Sequence, residues 1–194
     1  MLARSASLMN FRNIALAALL LGLMTLAVAA DAAAAAGPEV GQPAPAIKLQ
    51  DQHGNWVTLD QQKGKWVVLY FYPKDNTPGC TTQACEFRDN IFEVRKANAV
   101  ILGVSVDDIV SHEKFSQEHG LPFSILADNT KEATKRYGVL VKRGENEMAS
   151  RVTFLIDPSG KIAKRYVVDP PSLAGHSKAV LADIAALSAK KPAA

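Results

Sequence analysis

The residues with the clearest chemical potential are two cysteines that stand five positions apart. Cys80 and Cys85 are the only cysteines of the 194-residue chain and enclose the sequence CTTQAC. Cys80 follows a loop that contains proline and glycine, where a predicted buried strand gives way to a predicted helix. The free N–H groups of a first helical turn and the positive end of the helix dipole both stabilise an anion such as a thiolate. The sequence therefore predicts a nucleophilic sulfur at Cys80.

The two cysteines fall on different faces of this predicted helix. Cys85 lies about 140° around the helix axis from Cys80 and shares its face with Phe92. An ideal helix separates the two Cα atoms by roughly 8.7 Å, whereas a disulfide needs less than about 7 Å. A bond between the two sulfurs therefore requires the first turns of the helix to unwind. Cys80 begins an apolar stripe at helical spacing, which should face the core and continues with Ala84, Phe87, Ile91 and Val94.

Other interpretations of the cysteine pair are weaker but stay open at this point. The two residues could pack as small hydrophobic side chains or form a static disulfide. A Cys-x-x-Cys exchange motif is excluded because four residues intervene. A metal site would need further ligands, and the histidines are scattered through the chain, so we expect neither a metal nor a cofactor. The histidines are His53, His112, His119 and His176.

The elements that must position the cysteines alternate between strand and helix. Residues 66–72 (WVVLYFY) and 100–106 form continuous apolar runs that are typical of strands buried on both faces. Two hairpins are predicted, one near the amino terminus around residues 52–55 and one around residues 157–160. We predict an α/β fold, with a central mixed β-sheet flanked by helices and an N-terminal β-hairpin. Helices are predicted at residues 80–97, 113–119, 130–137 and 178–189.

The amino-terminal segment has the pattern of a targeting sequence. Arg4 and Arg12 precede an uncharged, Leu-rich run that ends in small residues, which is typical of a secretory signal peptide. We predict a cleaved signal peptide at residues 1–30, an Ala-rich linker at 31–38, one domain at 39–189 and a frayed tail at 190–194. The implied location is periplasmic or secreted. The alternative is a membrane anchor made by an uncleaved N-terminal helix, for which the apolar run is barely long enough.

The overall composition excludes several classes of protein. A hydrophobic content of 48% and a charged content of 21% are those of a globular domain. The formal net charge of +3 is too small to predict binding to nucleic acid or to a membrane surface.

The loop and helix around Cys80 resemble the active-site signature of the peroxiredoxins. The spacing Pro73-x-x-x-Thr77-x-x-Cys80 matches that signature, and the run FYPKDNTPGCTTQACEFRD is similar to the bacterioferritin-comigratory, or Q-type, subfamily. The run RVTFLID, which begins at Arg151, resembles the strand that carries the family's active-site arginine. The likeness covers about residues 39–187 and implies a thioredoxin-like fold.

The resemblance also implies a reaction and a role for each residue of the site. Cys80 would be the peroxidatic cysteine, and Cys85 the resolving cysteine that forms an intramolecular disulfide with it. Arg151 would stabilise the thiolate and donate hydrogen bonds to the peroxide, Thr77 would donate its hydroxyl, and Pro73 would restrict and shield the loop. Thioredoxin or a periplasmic thioredoxin-like protein would reduce the disulfide, and the enzyme would work as a monomer.

The alternative function is a periplasmic thiol–disulfide oxidoreductase or a redox sensor. Peroxide chemistry needs Thr77 and Arg151, whereas disulfide exchange does not. Two further side chains are given no part in the chemistry, because Gln83 is expected on a solvated helix face and His176 is expected to be exposed.

Overall fold

The computed structural model describes residues 37–169 and 172–190. The predicted signal peptide, most of the predicted linker and the last four residues lie outside this part of the chain. The boundaries at residues 30 and 38 therefore stay predictions. No helix in the described part has the length and apolar character needed to cross a bilayer.

The described residues form strands and helices in the alternating order that the sequence predicts. The elements are β1 (Lys48–Asp51), β2 (Trp56–Thr58), a 3₁₀ helix (Asp60–Gln62), β3 (Trp66–Phe71), α1 (Pro78–Asp89), α2 (Ile91–Lys96), β4 (Ala99–Ser105), α3 (Ile109–His119), β5 (Ser124–Ala127), α4 (Glu132–Arg136), β6 (Leu140–Arg143), β7 (Asn146–Ala149), β8 (Val152–Ile156), β9 (Ile162–Val167) and α5 (His176–Lys190).

The main sheet is mixed, as predicted. Its strand order is β2-β1-β5-β4-β3-β8-β9. Strand β4 runs parallel to β3 and to β5, while β8 is antiparallel to both β3 and β9. The two predicted hairpins are confirmed as the β1–β2 and β8–β9 pairs. The central position of β3 places the loop that follows it beside the start of β8.

Both faces of β3 are buried, which explains its continuous apolar sequence. Every residue of the strand is buried, and successive side chains enter opposite faces of the sheet. On one face, Val68 and Tyr70 pack with residues of α1, α2, α3 and α5. On the other face, Leu69 and Phe71 pack with Ala133 of α4. Helices therefore cover the sheet on both sides.

Two features of the chain depart from the prediction. The helix predicted at residues 80–97 is divided at Asn90, whose φ and ψ are −104° and 13°. The Asn90 side chain donates to the carbonyl oxygen of Glu86 and to Ser177 Oγ, a partner 87 residues away. The second departure is the hairpin of β6 and β7, which was not predicted. Apart from the buried Ala149, the residues of its strands are half-buried or exposed, and several are charged, so the strands lack the apolar pattern of β3.

Candidate active site

The predicted site forms where β3 ends and α1 begins. Pro73 is half-buried and opens the loop, and Thr77 is the N-cap residue of α1. The helix starts at Pro78, two residues earlier than predicted, so Cys80 lies within the first turn. The Thr77 hydroxyl does not cap the helix but donates to the carbonyl oxygen of Lys74 at 3.1 Å. It is therefore held by its own loop rather than by the helix.

Cys80 points into the core, as the apolar stripe predicted. Its side chain is 1% exposed and belongs to the same cluster as Ala84 and Phe87. Cys80 and Cys85 are both free thiols in this structure. Cys85 is half-buried, so the two sulfurs occupy different environments on one helix.

Arg151 supplies the positive charge beside Cys80. It directly precedes β8, whose first residue, Val152, pairs with the last residue of β3. Its Nη2 donates to Cys80 Sγ at 3.3 Å. Gly79 leaves room for this approach, since a Cβ atom there would lie 3.2 Å from Arg151 Nη2, a tight contact. The contact with Sγ places a cationic hydrogen-bond donor beside the sulfur.

Gln83 belongs to the site, so its prediction as a residue on a solvated helix face is wrong. Its side chain is fully buried, and its Oε1 accepts a hydrogen bond from Arg151 Nη1 at 2.7 Å. Its Nε2 has no hydrogen-bond partner among the described residues. A signal was present in the sequence, because a residue three positions after Cys80 lies close to its face of the helix. The acceptor fixes one arm of the guanidinium while the other arm contacts the sulfur.

The loop that carries Thr77 is anchored by the buried carboxylate of Asp75. Asp75 Oδ1 accepts from Tyr72 Oη at 2.7 Å, and its Oδ2 accepts from Ser111 Oγ at 2.7 Å. Oδ2 also lies 2.8 Å from His112 Nδ1. Burial alone would raise the pKa of the Asp75 carboxyl group, but the hydrogen bonds from His112, Tyr72 and Ser111 and the attraction of His112 outweigh it and lower that pKa. Asp75 therefore stays ionised and ties the loop to α3.

Aromatic side chains form the apolar wall beneath the cysteine. The rings of Tyr70 and Tyr72 stack with centroids 5.4 Å apart, and Tyr70 lies 5.0 Å from Phe87. Burial raises the pKa of both tyrosines well above its ordinary value, so both stay neutral. Neutral rings leave the guanidinium of Arg151 as the charge in contact with the sulfur.

His176 is buried rather than exposed, which corrects a second expectation. It opens α5, and its Nε2 lies 2.9 Å from Thr153 Oγ1. Burial lowers the pKa of His176 to about 4, so the ring is neutral near pH 7. No group of three or more His, Cys, Asp or Glu side chains in the described part of the chain could hold a metal ion.

The fold and the site together define a class of enzyme. A thioredoxin-like sheet places a buried cysteine at a helix start, in contact with an arginine, with a second thiol on the same helix. These are the parts of a thiol peroxidase, which needs a thiolate and donors for an oxygen that gains charge.

Comparisons with known proteins identify the family. The AhpC/TSA family model matches residues 40–165. The chain is 46% identical over 132 residues to peroxiredoxin Bcp of Bacillus subtilis, covering 66% of this chain and 84% of that protein. It is 45% identical over 129 residues to a putative peroxiredoxin bcp of Coxiella burnetii, covering 64% and 85%.

A solved structure gives the same answer. The bacterioferritin comigratory protein of Xanthomonas campestris has a solved structure, described for its alkyl peroxide reduction activity. This structure superposes on the present chain with a TM-score of 0.67 at 35% sequence identity. The match covers 73% of this chain and 92% of that one. The chain belongs to the AhpC/TSA family, as a peroxiredoxin of the Bcp and Q type, and the predicted resemblance and thioredoxin-like fold are confirmed. It is a thiol peroxidase, and its family implies peroxide substrates and a thioredoxin-type reductant.

Proposed function

We propose that Cys80 is the peroxidatic cysteine of this enzyme and Cys85 its resolving cysteine. The observation that carries the assignment is the 3.3 Å hydrogen bond from Arg151 Nη2 to Cys80 Sγ, made at a helix start inside the core. Cys85 is half-buried and accepts no hydrogen bond from an arginine in the described part of the chain, so it is the weaker candidate for attack on peroxide.

The reaction has two steps before reduction. The Cys80 thiolate attacks one peroxide oxygen, the O–O bond breaks, and the leaving oxygen takes a proton to become water or an alcohol. The product is a sulfenic acid at Cys80. Cys85, as a thiolate, then attacks that sulfur and displaces hydroxide, which is protonated to water. A thioredoxin-type dithiol reduces the resulting disulfide by thiol–disulfide exchange.

Positioned donors contribute more to the rate than ionisation does. An ordinary cysteine is about 3% thiolate at pH 7, so full ionisation gains at most about 30-fold. A donor aimed at an oxygen that gains negative charge is typically worth about 10²- to 10³-fold. Arg151 and Thr77 are the side-chain donors in this proposal, and Thr77 donates to the peroxide by turning its single O–H away from the carbonyl oxygen of Lys74. Pro73 shapes the loop between β3 and Thr77 and helps to shield Cys80 from water.

We extend the substrate to organic as well as inorganic peroxides. The Xanthomonas campestris relative is described for its alkyl peroxide reduction activity. In this chain, the buried Tyr70 and Phe87 belong to the same cluster as Cys80, and the buried Leu173 lies beside Gly79. The surroundings of Cys80 are therefore apolar, which suits an alkyl group. We expect turnover with hydrogen peroxide and with a small alkyl hydroperoxide.

Two cysteine variants test the assignment. Cys80→Ser should abolish peroxide-dependent oxidation of thioredoxin, because the nucleophile is gone. Cys85→Ser should consume about one peroxide per enzyme and then stop, because its sulfenic acid has no internal partner. Normal turnover by Cys80→Ser would refute the peroxidatic role, and normal turnover by Cys85→Ser would move the resolving step elsewhere.

We also propose that residues 1–30 are a cleaved signal peptide and that the mature enzyme is a periplasmic monomer. The supporting pattern is the basic start, apolar run and small residues of the first 30 positions. Mass spectrometry of the mature protein from a periplasmic extract should find an amino terminus near residue 31. An intact amino terminus in the membrane fraction would favour the uncleaved anchor. Sedimentation of the mature protein should give the mass of one chain.

A further inference from the structure

The residue that follows Cys85 is bound to a distant part of the fold. The carboxylate of Glu86 accepts a hydrogen bond from the N–H of Gly175 at one oxygen and from the N–H of Ser177 at the other, the latter at 3.3 Å. Both donors belong to the start of α5, where free N–H groups and the helix dipole favour a negative charge. Glu86 thus caps a helix that lies about 90 residues further along the chain.

Asn90 makes a second tie at the same place. Its Nδ2 donates to the carbonyl oxygen of Glu86 at 2.9 Å and to Ser177 Oγ at 3.0 Å. Ser177 is 1% exposed, so this contact is shielded from water. We call Glu86, Asn90, Gly175 and Ser177 the α1–α5 clamp. The clamp holds the second half of α1, immediately after Cys85.

Disulfide formation acts against this clamp. The sulfurs sit about 140° apart around a helix whose Cα atoms at these positions are roughly 8.7 Å apart, too far for a disulfide. Cys85 must leave its helical position to reach Cys80. Because adjacent Cα atoms are linked at about 3.8 Å, the movement of Cys85 pulls directly on Glu86.

We propose that Glu86 is a positioning residue that holds Cys85 in the reduced helix, and that separation of Glu86 from the start of α5 accompanies disulfide formation. This role rests on the proposed function of the two cysteines. The clamp holds the second half of α1 in its helical form. It also slows the attack of Cys85 on the sulfenic acid, which lengthens the time in which further peroxide can oxidise Cys80 to a sulfinic acid.

The direct test compares Glu86→Gln with the wild type. Glu93→Gln is the matched control, since it removes the same charge from an exposed position of the next helix. Reduced protein is mixed with one equivalent of hydrogen peroxide, quenched with an alkylating reagent and analysed by intact mass. The sulfenic acid should form at the wild-type rate in both variants. The disulfide should form about three- to tenfold faster in Glu86→Gln only, because glutamine lacks the charge and one of the two acceptor oxygens that bind the N–H groups of Gly175 and Ser177.

A second measurement needs no variant of the clamp. Wild-type protein is oxidised with diamide, a thiol oxidant that joins the cysteines without peroxide, and amide hydrogen exchange is compared with the reduced form. Residues 175–177 should exchange faster in the disulfide form, while Cys85→Ser treated in the same way should show no change.

The outcomes separate the two proposals. An unchanged or slower disulfide step in Glu86→Gln, with normal sulfenic acid formation, would overturn the role of Glu86. Equal protection of residues 175–177 in both redox forms would overturn it as well. If peroxide oxidises neither protein at Cys80 while diamide still loosens residues 175–177, the clamp stands and the peroxidatic assignment fails.

Discussion

Arg151 offers the sharpest test of the site because its two arms have separate partners. Nη2 donates to Cys80 Sγ at 3.3 Å, and Nη1 donates to Gln83 Oε1 at 2.7 Å. Arg151→Met removes the charge and both donors at similar bulk. Arg151→Lys keeps the charge, but its single nitrogen cannot reproduce the planar fork of a guanidinium.

The expected loss follows from the donors that Arg151→Met removes. Loss of a donor to the peroxide costs about 10²- to 10³-fold. Arg151→Met should therefore react with peroxide about 10²- to 10³-fold more slowly than the wild type. Arg151→Lys keeps one cationic donor and should lose less than Arg151→Met.

The first oxidation must be followed separately from the steps that come after it. The assay is stopped-flow fluorescence in the Cys85→Ser background, so that only the first oxidation is followed. Trp66 is a suitable reporter because it is buried in the same cluster as Cys80.

Two results would refute this reasoning. A loss below about tenfold in Arg151→Met would show that the contact seen in the structure does not serve the reaction. A rate for Arg151→Lys equal to that of the wild type would show that the planar fork of the guanidinium is not needed. Unfolding curves for each variant should match the wild type, since Arg151 is only half-buried.

Three further predictions concern the surroundings of the site. Gln83→Leu should slow the reaction with peroxide by about tenfold, because one arm of the Arg151 guanidinium loses its acceptor. Gln83→Glu keeps an acceptor and should react within a few-fold of the wild-type rate. Equal rates for Gln83→Leu and the wild type would contradict the role of Gln83. Asp75→Asn should lower the free energy of unfolding in urea by about 1–3 kcal/mol, because an amide cannot accept from all three buried donors. It should also slow the peroxide reaction, because the loop of Thr77 becomes looser. An unchanged free energy of unfolding together with an unchanged rate would show that Asp75 does not anchor this loop. Burial lowers the pKa of His176 to about 4, so between about pH 6.5 and pH 4 the unfolded chain binds a proton that the folded chain refuses. As the pH is lowered from about 6.5 to about 4, the free energy of unfolding of the wild type should therefore fall by at most about 3 kcal/mol more than that of His176→Gln. Parallel pH profiles for the two proteins would exclude this cause.

The sequence was sufficient wherever a local pattern determined the structure. The continuous apolar run of β3 and the turn residues of the β1–β2 and β8–β9 hairpins were enough to predict these elements. The helical spacing of the apolar residues after Cys80 correctly placed that side chain in the core. Each of these patterns is contained within a few turns or one hairpin.

The features that the sequence did not reveal depend on partners far along the chain. Gln83 is a polar residue of the kind usually found on a solvated surface. Only Arg151, which lies 68 residues later and directly precedes β8, gives it a partner in the interior. Asn90 interrupts the predicted long helix, and its side chain bonds to Ser177, 87 residues later. His176 is buried through contact with Thr153 of β8. No local periodicity contains this information.

The inner face of α1 carries small side chains near the cysteines, and these limit how much of the packed core a redox cycle must disturb. Between Cys80 and Phe87, the buried positions hold only Gln83 and Ala84. Withdrawing the methyl group of Ala84 from the core forfeits about 0.8 kcal/mol, whereas a leucine there would forfeit about 1.5–3 kcal/mol. Phe87, the first large anchor, lies beyond both cysteines. The chain can therefore remodel the stretch that carries its two thiols on every turnover while the rest of its interior stays packed.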